Sequence, residues 1–61
     1  KPEAAKKAYA TIKAKMKEDS DVKLLTNLFN NLNEENQQTF LNQLEEDAEV
    51  LLAFAKTIAE E

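Results

Sequence analysis

Four carboxylates stand close together in the last third of the chain, at Glu45, Glu46, Asp47 and Glu49. Paired carboxylates can bind a hard cation or act as the acid and base of a catalytic pair. Catalysis would require a cleft that raises the pKa of one carboxyl and holds the pair at a defined separation. A chain of 61 residues has little interior from which to build that cleft. We therefore interpret these residues as a solvated acidic helix face and predict no metal site.

The segment Asp19-Ser20-Asp21 resembles the start of a calcium-binding loop. That loop requires glycine at its sixth position and a bidentate glutamate at its twelfth, where this chain has Leu24 and Asn30. Short polar side chains are also typical of helix starts, because their oxygens accept hydrogen bonds from the free amides of the first turn. We expect a helix to begin here and no calcium to bind.

The sequence lacks the side chains that nucleophilic and metal-dependent catalysis usually requires. The chain has no cysteine and no histidine, which excludes thiolate or imidazole zinc sites and histidine-ligated haem. Ser20 is the sole serine, and no histidine is present to activate it or a threonine. A glycine-rich phosphate loop is also excluded, because the chain has no glycine. These absences predict a protein that is not an enzyme and uses no cofactor.

The lysines are concentrated at one end of the chain. Six of the eight fall in residues 1–17, which carry a net charge of +5, whereas residues 18–61 carry −9. One hypothesis is a nucleic-acid-binding accessory domain that contacts phosphates through Lys6, Lys7, Lys13 and Lys17. Arginine is absent, however, and the acidic remainder would repel DNA. We favour the alternative in which Lys6, Lys13 and Lys17 face acids of the C-terminal helix and help to orient the helices.

The absence of glycine, with a single proline at Pro2, predicts an all-α fold of helices joined by short turns. Asn30, Asn31 and Asn33 are expected to supply left-handed backbone where glycine usually would. Apolar residues recur at helical spacing in two N-terminal segments, 2–18 and 21–31. The expected core positions of these segments are Ala5, Ala8, Tyr9, Ile12, Met16, Val22, Leu25, Leu28, Phe29 and Leu32, with Leu24 at the edge.

The C-terminal segment carries one uninterrupted stripe of heptad-like spacing. Its members are Gln37, Leu41, Leu44, Ala48, Leu51, Ala55 and Ile58. Asn33 is a suitable N-cap, so we predict a small three-helix bundle whose third helix spans 34–60. The alternative is a four-helix arrangement with a break near Asp47, which would then cap the fourth helix.

Val50 and Phe54 lie up to roughly 130° from the centre of the C-terminal apolar sector. Either this helix lies between the other two and buries both sides, or the two residues form a patch that contacts another chain or a second copy. We expect a protein–protein interaction or oligomerisation module. Val50 and Phe54 are its first candidate binding residues.

Asn31-Leu32-Asn33-Glu34-Glu35, followed by Phe40, Leu44, Asp47, Leu51-Leu52-Ala53 and Ala55-Lys56, resembles the second and third helices of the immunoglobulin-binding domains of staphylococcal protein A. The similarity spans residues 31–56 and requires a three-residue deletion after Asp47. The resemblance implies antibody contacts from four residues, Gln38, Leu41, Asn42 and Glu45. The aromatic-rich first-helix motif of that family is not found in residues 20–30.

The same Leu-rich segment also resembles the helical tails that follow DNA-binding domains in bacterial and phage regulators, which implies an oligomerisation or docking role. No apolar run approaches the roughly 18 residues of a membrane span, and no signal-peptide core is present. We therefore expect a soluble chain and leave its compartment open. Because the chain does not begin with methionine, we expect a single domain cut from a longer protein.

Overall fold

The computed structural model describes residues 2–60. This part of the chain is helical throughout, apart from short turns and one corner residue. The helices are α1 (Pro2–Lys15), α2 (Asp19–Asn30), α3 (Glu34–Glu46) and α4 (Ala48–Ala59). The all-α prediction is confirmed, whereas the count of three helices is wrong and the four-helix alternative is right.

The third predicted helix is interrupted at Asp47, which has extended backbone angles (φ −158°, ψ 92°). Its amide still donates to the carbonyl of Gln43, so this residue ends α3. Its carboxylate oxygen accepts a hydrogen bond from the amide of Val50 at 3.3 Å, so it also caps α4. One residue therefore closes one helix and opens the next. The predicted stripe stays in phase across this corner and, apart from the exposed Ile58, its members remain at least partly buried.

The start of α3 follows the prediction closely. The side chain of Asn33 accepts a hydrogen bond from the amide of Asn36 at 2.8 Å, and Glu34 and Glu35 occupy the first turn, where the helix dipole favours acids. The expectation that asparagines supply left-handed backbone is wrong, because no residue in 2–60 has a positive φ. Asn31 ends α2 in right-handed geometry instead (φ −89°, ψ −6°).

The two N-terminal helices differ from prediction at their shared turn. Helix α1 ends at Lys15, three residues earlier than expected, and α2 begins at Asp19, two residues earlier. The N-cap of α2 is Glu18, whose extended backbone turns the chain but whose side chain forms no capping bond. Asp19 and Asp21 therefore contribute as acids within the first turn, through the helix dipole, and not as caps.

The core is assembled from all four helices. Its buried members are Ala8, Ile12, Met16, Val22, Leu25, Phe29, Phe40, Leu44, Leu51 and Ala55. The rings of Phe29 and Phe40 meet edge to face, with centroids 5.5 Å apart, and so join α2 to α3. Two expected core positions of α1, Ala5 and Tyr9, are exposed instead. Leu24, Leu28 and Leu32 pack against the core but remain partly accessible.

Candidate protein-binding groove

A concave apolar groove of about 470 Å³ lies where α2, α3 and α4 meet. Helix α2 contributes Leu28 and Leu32 from its C-terminal end and the following turn. Helix α3 contributes Asn36, Thr39, Phe40 and Gln43, and α4 contributes Val50, Leu51, Phe54 and Ile58. None of these ten side chains is charged, and most are aliphatic or aromatic. We call this surface the α4 groove.

The wall formed by α4 contains the two most exposed large apolar side chains of the described chain, Phe54 and Val50. Val50, Phe54 and Ile58 retain 56%, 63% and 44% of their accessible surface. They are spaced by four residues, so they form one row along the helix. The interpretation in which neighbouring helices cover Val50 and Phe54 is therefore wrong. Leu51 and Ala55 face the core instead, so α4 is apolar on two adjoining faces and only one of them is covered.

Two polar members of the groove, Thr39 and Asn36, form local hydrogen bonds. The Thr39 hydroxyl donates to the carbonyl of Glu35 at 3.3 Å. The main-chain amide of Asn36 donates to the side-chain oxygen of Asn33, the N-cap of α3. These bonds leave the apolar side chains as the main source of binding energy, with the side-chain amides of Asn36 and Gln43 available at the margin.

The residues implied by the protein A resemblance lie elsewhere on α3. Gln38, Asn42 and Glu45 are exposed, Leu41 is partly buried, and none of the four lines the α4 groove. The side-chain amide of Gln38 donates to the Asn42 side chain at 3.2 Å. At 100° per residue, this face lies about 150° around α3 from the groove-lining residues. The candidate binding residues therefore form two separate surfaces, and only Val50 and Phe54 belong to the concave one.

The carboxylate cluster does not converge. Glu45, Glu46, Asp47 and Glu49 are all exposed, and within residues 2–60 no three acids come together closely enough to hold a metal ion. The Asp47 carboxylate is engaged in capping α4. The cluster contributes negative charge to the surface around the corner between α3 and α4.

The ion pairs predicted between acids of the C-terminal helix and Lys6, Lys13 and Lys17 do not form among the described residues. Lys17 lies in the turn after α1. Lys6, Lys7, Lys13 and Lys17 are exposed, and none of them forms a salt bridge with another described residue. Lys13 instead lies over the ring of Tyr9, at 5.8 Å from its centroid. The salt bridge of the described chain joins Lys56 of α4 to Asp21 of α2, at 3.7 Å.

No family model, curated protein or solved structure matches the chain. In the described part of the molecule, no helix combines the length and apolar character that a membrane crossing requires.

Sequence reasoning identified two of the groove residues, Val50 and Phe54, but missed the other walls. Leu28 and Leu32 were expected to be core residues, and Ile58 was placed in the heptad stripe. The available signal was the spacing of Val50, Phe54 and Ile58, which forms a second apolar row beside that stripe. That row indicates an extra apolar face on α4. It does not indicate that α2 and α3 form the other walls of the groove.

Proposed function

We propose that this protein is a non-enzymatic protein-binding module and that the α4 groove is its binding surface. The observation that carries the proposal is the row of Val50, Phe54 and Ile58, three large apolar side chains left accessible along one wall of a concave surface. Fully burying one such side chain contributes about 1.5–3 kcal/mol, so leaving three of them in water forgoes substantial stability. Contiguous apolar surface of this kind is typical of interaction sites.

The shape of the site supports a protein ligand. A helix placed in a groove is held by apolar side chains at spacings of three, four and seven residues, and these side chains need a concave apolar floor. Phe40 and Leu51 are buried residues at that floor, and Phe54 stands at its wall. Phe54 is also the middle residue of the α4 row, and binding hot spots cluster near the centre of an interface.

The test is a selection of displayed helical peptides against the folded protein, followed by affinity measurement on two variants. Phe54→Ala removes the exposed ring of the groove. Tyr9→Ala is the matched control, because Tyr9 is an aromatic residue of α1 that is 45% exposed and lies outside the groove. We expect selected peptides to lose at least about tenfold in affinity on Phe54→Ala, since hot-spot truncations cost about 2 kcal/mol or more.

Tyr9→Ala should leave the peptide affinity unchanged within about twofold. Circular dichroism of both variants would establish that each is folded. Selected peptides that bind equally well to wild-type protein and to Phe54→Ala would refute the groove as the binding surface. A selection that yields no groove-directed peptide would do the same.

A second candidate function is nucleic-acid binding through the lysines of α1 and of the turn that follows it. It is supported by the exposure of Lys6, Lys7, Lys13 and Lys17 and by their lack of salt bridges with the described residues. A titration with single- and double-stranded DNA at low salt tests it, because phosphate contacts weaken steeply as salt rises. Binding that falls with salt and is lost when these four lysines are replaced by glutamine would support this function. No affinity at low salt would remove it.

A further inference from the structure

The charges near the α4 groove are of one sign. Glu35 lies one turn before Thr39 on α3, and Glu46 lies two turns after it, so both share the side of α3 that carries this groove residue. Both are exposed, and Asp47 adds a third acid at the corner. No lysine lines the groove, and Lys56 lies on another side of α4, where it pairs with Asp21. The groove is therefore apolar with an acidic margin.

A second copy of the chain does not match this margin. In an antiparallel pairing of two α4 helices about Phe54, Val50 would meet Ile58 of the other copy, because both are four residues from the centre. Asp47 of one copy would then lie opposite the C-terminal end of the other copy's α4, where the helix dipole is negative and Glu60 is the C-cap residue, so negative charge would meet negative charge. A parallel pairing would place each acid beside its own counterpart. Like charges in such positions are unfavourable, and each chain already carries a net charge of −4.

The length of the groove matches about two turns of a bound helix. Eight residues separate Val50 from Ile58 on α4, which is about 12 Å at 1.5 Å per residue. Anchor side chains at positions i and i+7 of a ligand helix are separated by about 10.5 Å. A helix lying along α4 can therefore place its first and last anchors beside Val50 and Ile58, with a middle anchor beside Phe54.

We infer that the α4 groove takes an amphipathic helix of a partner protein whose apolar stripe is flanked by lysine or arginine. The apolar stripe fills the groove, and the basic flank lies against Glu35, Glu46 and Asp47. This inference rests on the proposed function and adds the chemical class of the ligand. Electrostatic complementarity of this kind raises association rates and discriminates between partners more than it adds affinity.

The experiment compares two cross-linked helical peptides that share a Leu, Phe, Leu stripe at i, i+4 and i+7 and differ only in their flanks. One peptide carries four flanking lysines and the other carries four glutamates. We expect the lysine peptide to bind about tenfold more tightly at low salt, because several exposed ion pairs contribute together. The difference should largely disappear at 1 M salt, where the Debye length is about 3 Å. Amide chemical shifts should change along α4 at Val50, Phe54 and Ile58.

Matched charge variants locate the effect. Glu35→Gln with Glu46→Gln removes two charges beside the groove, whereas Glu45→Gln with Glu49→Gln removes two charges from other faces of α3 and α4. The first pair should reduce the preference for the lysine peptide to about threefold or less. The variant with Glu45→Gln and Glu49→Gln should retain most of the preference for the lysine peptide, although both double variants have the same net charge.

The outcomes separate this inference from the proposed function. Equal, Phe54-dependent binding of both peptides would overturn the basic ligand and retain the protein-binding groove. An equal effect of the two charge variants would also overturn it, because the preference would then reflect net charge alone. A concentration-dependent dimer in sedimentation, abolished by Phe54→Ala, would assign the groove to a second copy. If neither peptide binds, the inference fails, and the peptide selection decides the proposed function separately.

Discussion

Gln37 donates a hydrogen bond from its side-chain Nε2 to the main-chain carbonyl oxygen of Phe29, across 3.0 Å. The amide of Leu32 donates to the same oxygen at 3.1 Å. The carbonyl lies in the last turn of α2, where oxygens have no partner within the helix. Gln37 therefore adds a second hydrogen bond to one of these acceptors from α3 and connects the two helices beside the ring pair of Phe29 and Phe40.

Replacing Gln37 by alanine should lower the free energy of unfolding by about 1 kcal/mol, the usual contribution of a hydrogen bond of this type. Gln38→Ala is the control, because Gln38 is exposed and its side-chain amide donates to Asn42 of the same helix. Gln38→Ala should change the free energy of unfolding by no more than about 0.5 kcal/mol. Urea denaturation of the two variants gives the comparison. Equal losses would contradict the bond to Phe29 as the cause, because Gln38→Ala does not remove it and helix propensity favours alanine in both variants.

The aromatic pair of Phe29 and Phe40 should show direct energetic coupling. A double-mutant cycle with Phe29→Leu and Phe40→Leu is expected to give a coupling free energy of about 0.5–1.5 kcal/mol, because the edge-to-face contact contributes beyond burial. The control cycle pairs Phe29→Leu with Phe54→Leu, which removes an exposed ring. The changes in unfolding free energy caused by the two control substitutions should be additive within about 0.5 kcal/mol. Coupling of similar size in both cycles would contradict the ring contact as the cause.

The salt bridge between Lys56 and Asp21 should contribute little. The lysine side chain is 53% exposed and the aspartate 17%, so solvent screens the pair. A cycle with Lys56→Gln and Asp21→Asn is expected to give about 0.5 kcal/mol at low salt and close to zero at 1 M salt. A coupling free energy above about 2 kcal/mol that does not change with salt would contradict this expectation. It would show that the pair is much less accessible to water than its exposed fractions indicate.

The helical class of this chain was predictable because its local signals agree. Glycine is absent, Asn33 caps α3 as predicted, and the apolar spacing is helical throughout. The end of α1 was less predictable, because Met16 fits the helical stripe and is buried although it lies beyond Lys15. The position of that end is determined by the turn at Glu18, which has no strong local signal in its side chain.

The groove was not predictable for a related reason. The apolar stripe stays in phase from Leu44 to Leu51, so its periodicity contains no sign that the chain changes direction between them. The direction of α4 after this corner decides which of its two apolar faces is covered. The single local signal was Asp47, a good N-cap residue within a segment that otherwise favours a continuous helix.

Asp47 therefore provides a test in which the two topologies predict opposite signs. If Asp47 caps α4, as its hydrogen bond to the amide of Val50 indicates, Asp47→Ala should destabilise the protein by about 1 kcal/mol. If residues 34–60 formed one helix, the same change would stabilise it by up to about 0.7 kcal/mol, because alanine is the best helix former. Thermal and urea unfolding measure the sign directly.

Two further variants separate capping from the loss of charge at this corner. Asp47→Ser removes the carboxylate but keeps an oxygen that can accept the bond from Val50, so it should retain most of the stability. Glu46→Ala, one residue earlier, removes the exposed acid of the last residue of α3, which does not cap α4, and should change stability by no more than about 0.5 kcal/mol. Loss in Asp47→Ala, retention in Asp47→Ser and little change in Glu46→Ala would together identify the cap as the feature that directs α4. Since α4 carries Val50, Phe54 and Ile58, affinity for a helical peptide at 1 M salt, where the lost charge of Asp47 is screened, should weaken in Asp47→Ala and be kept in Asp47→Ser.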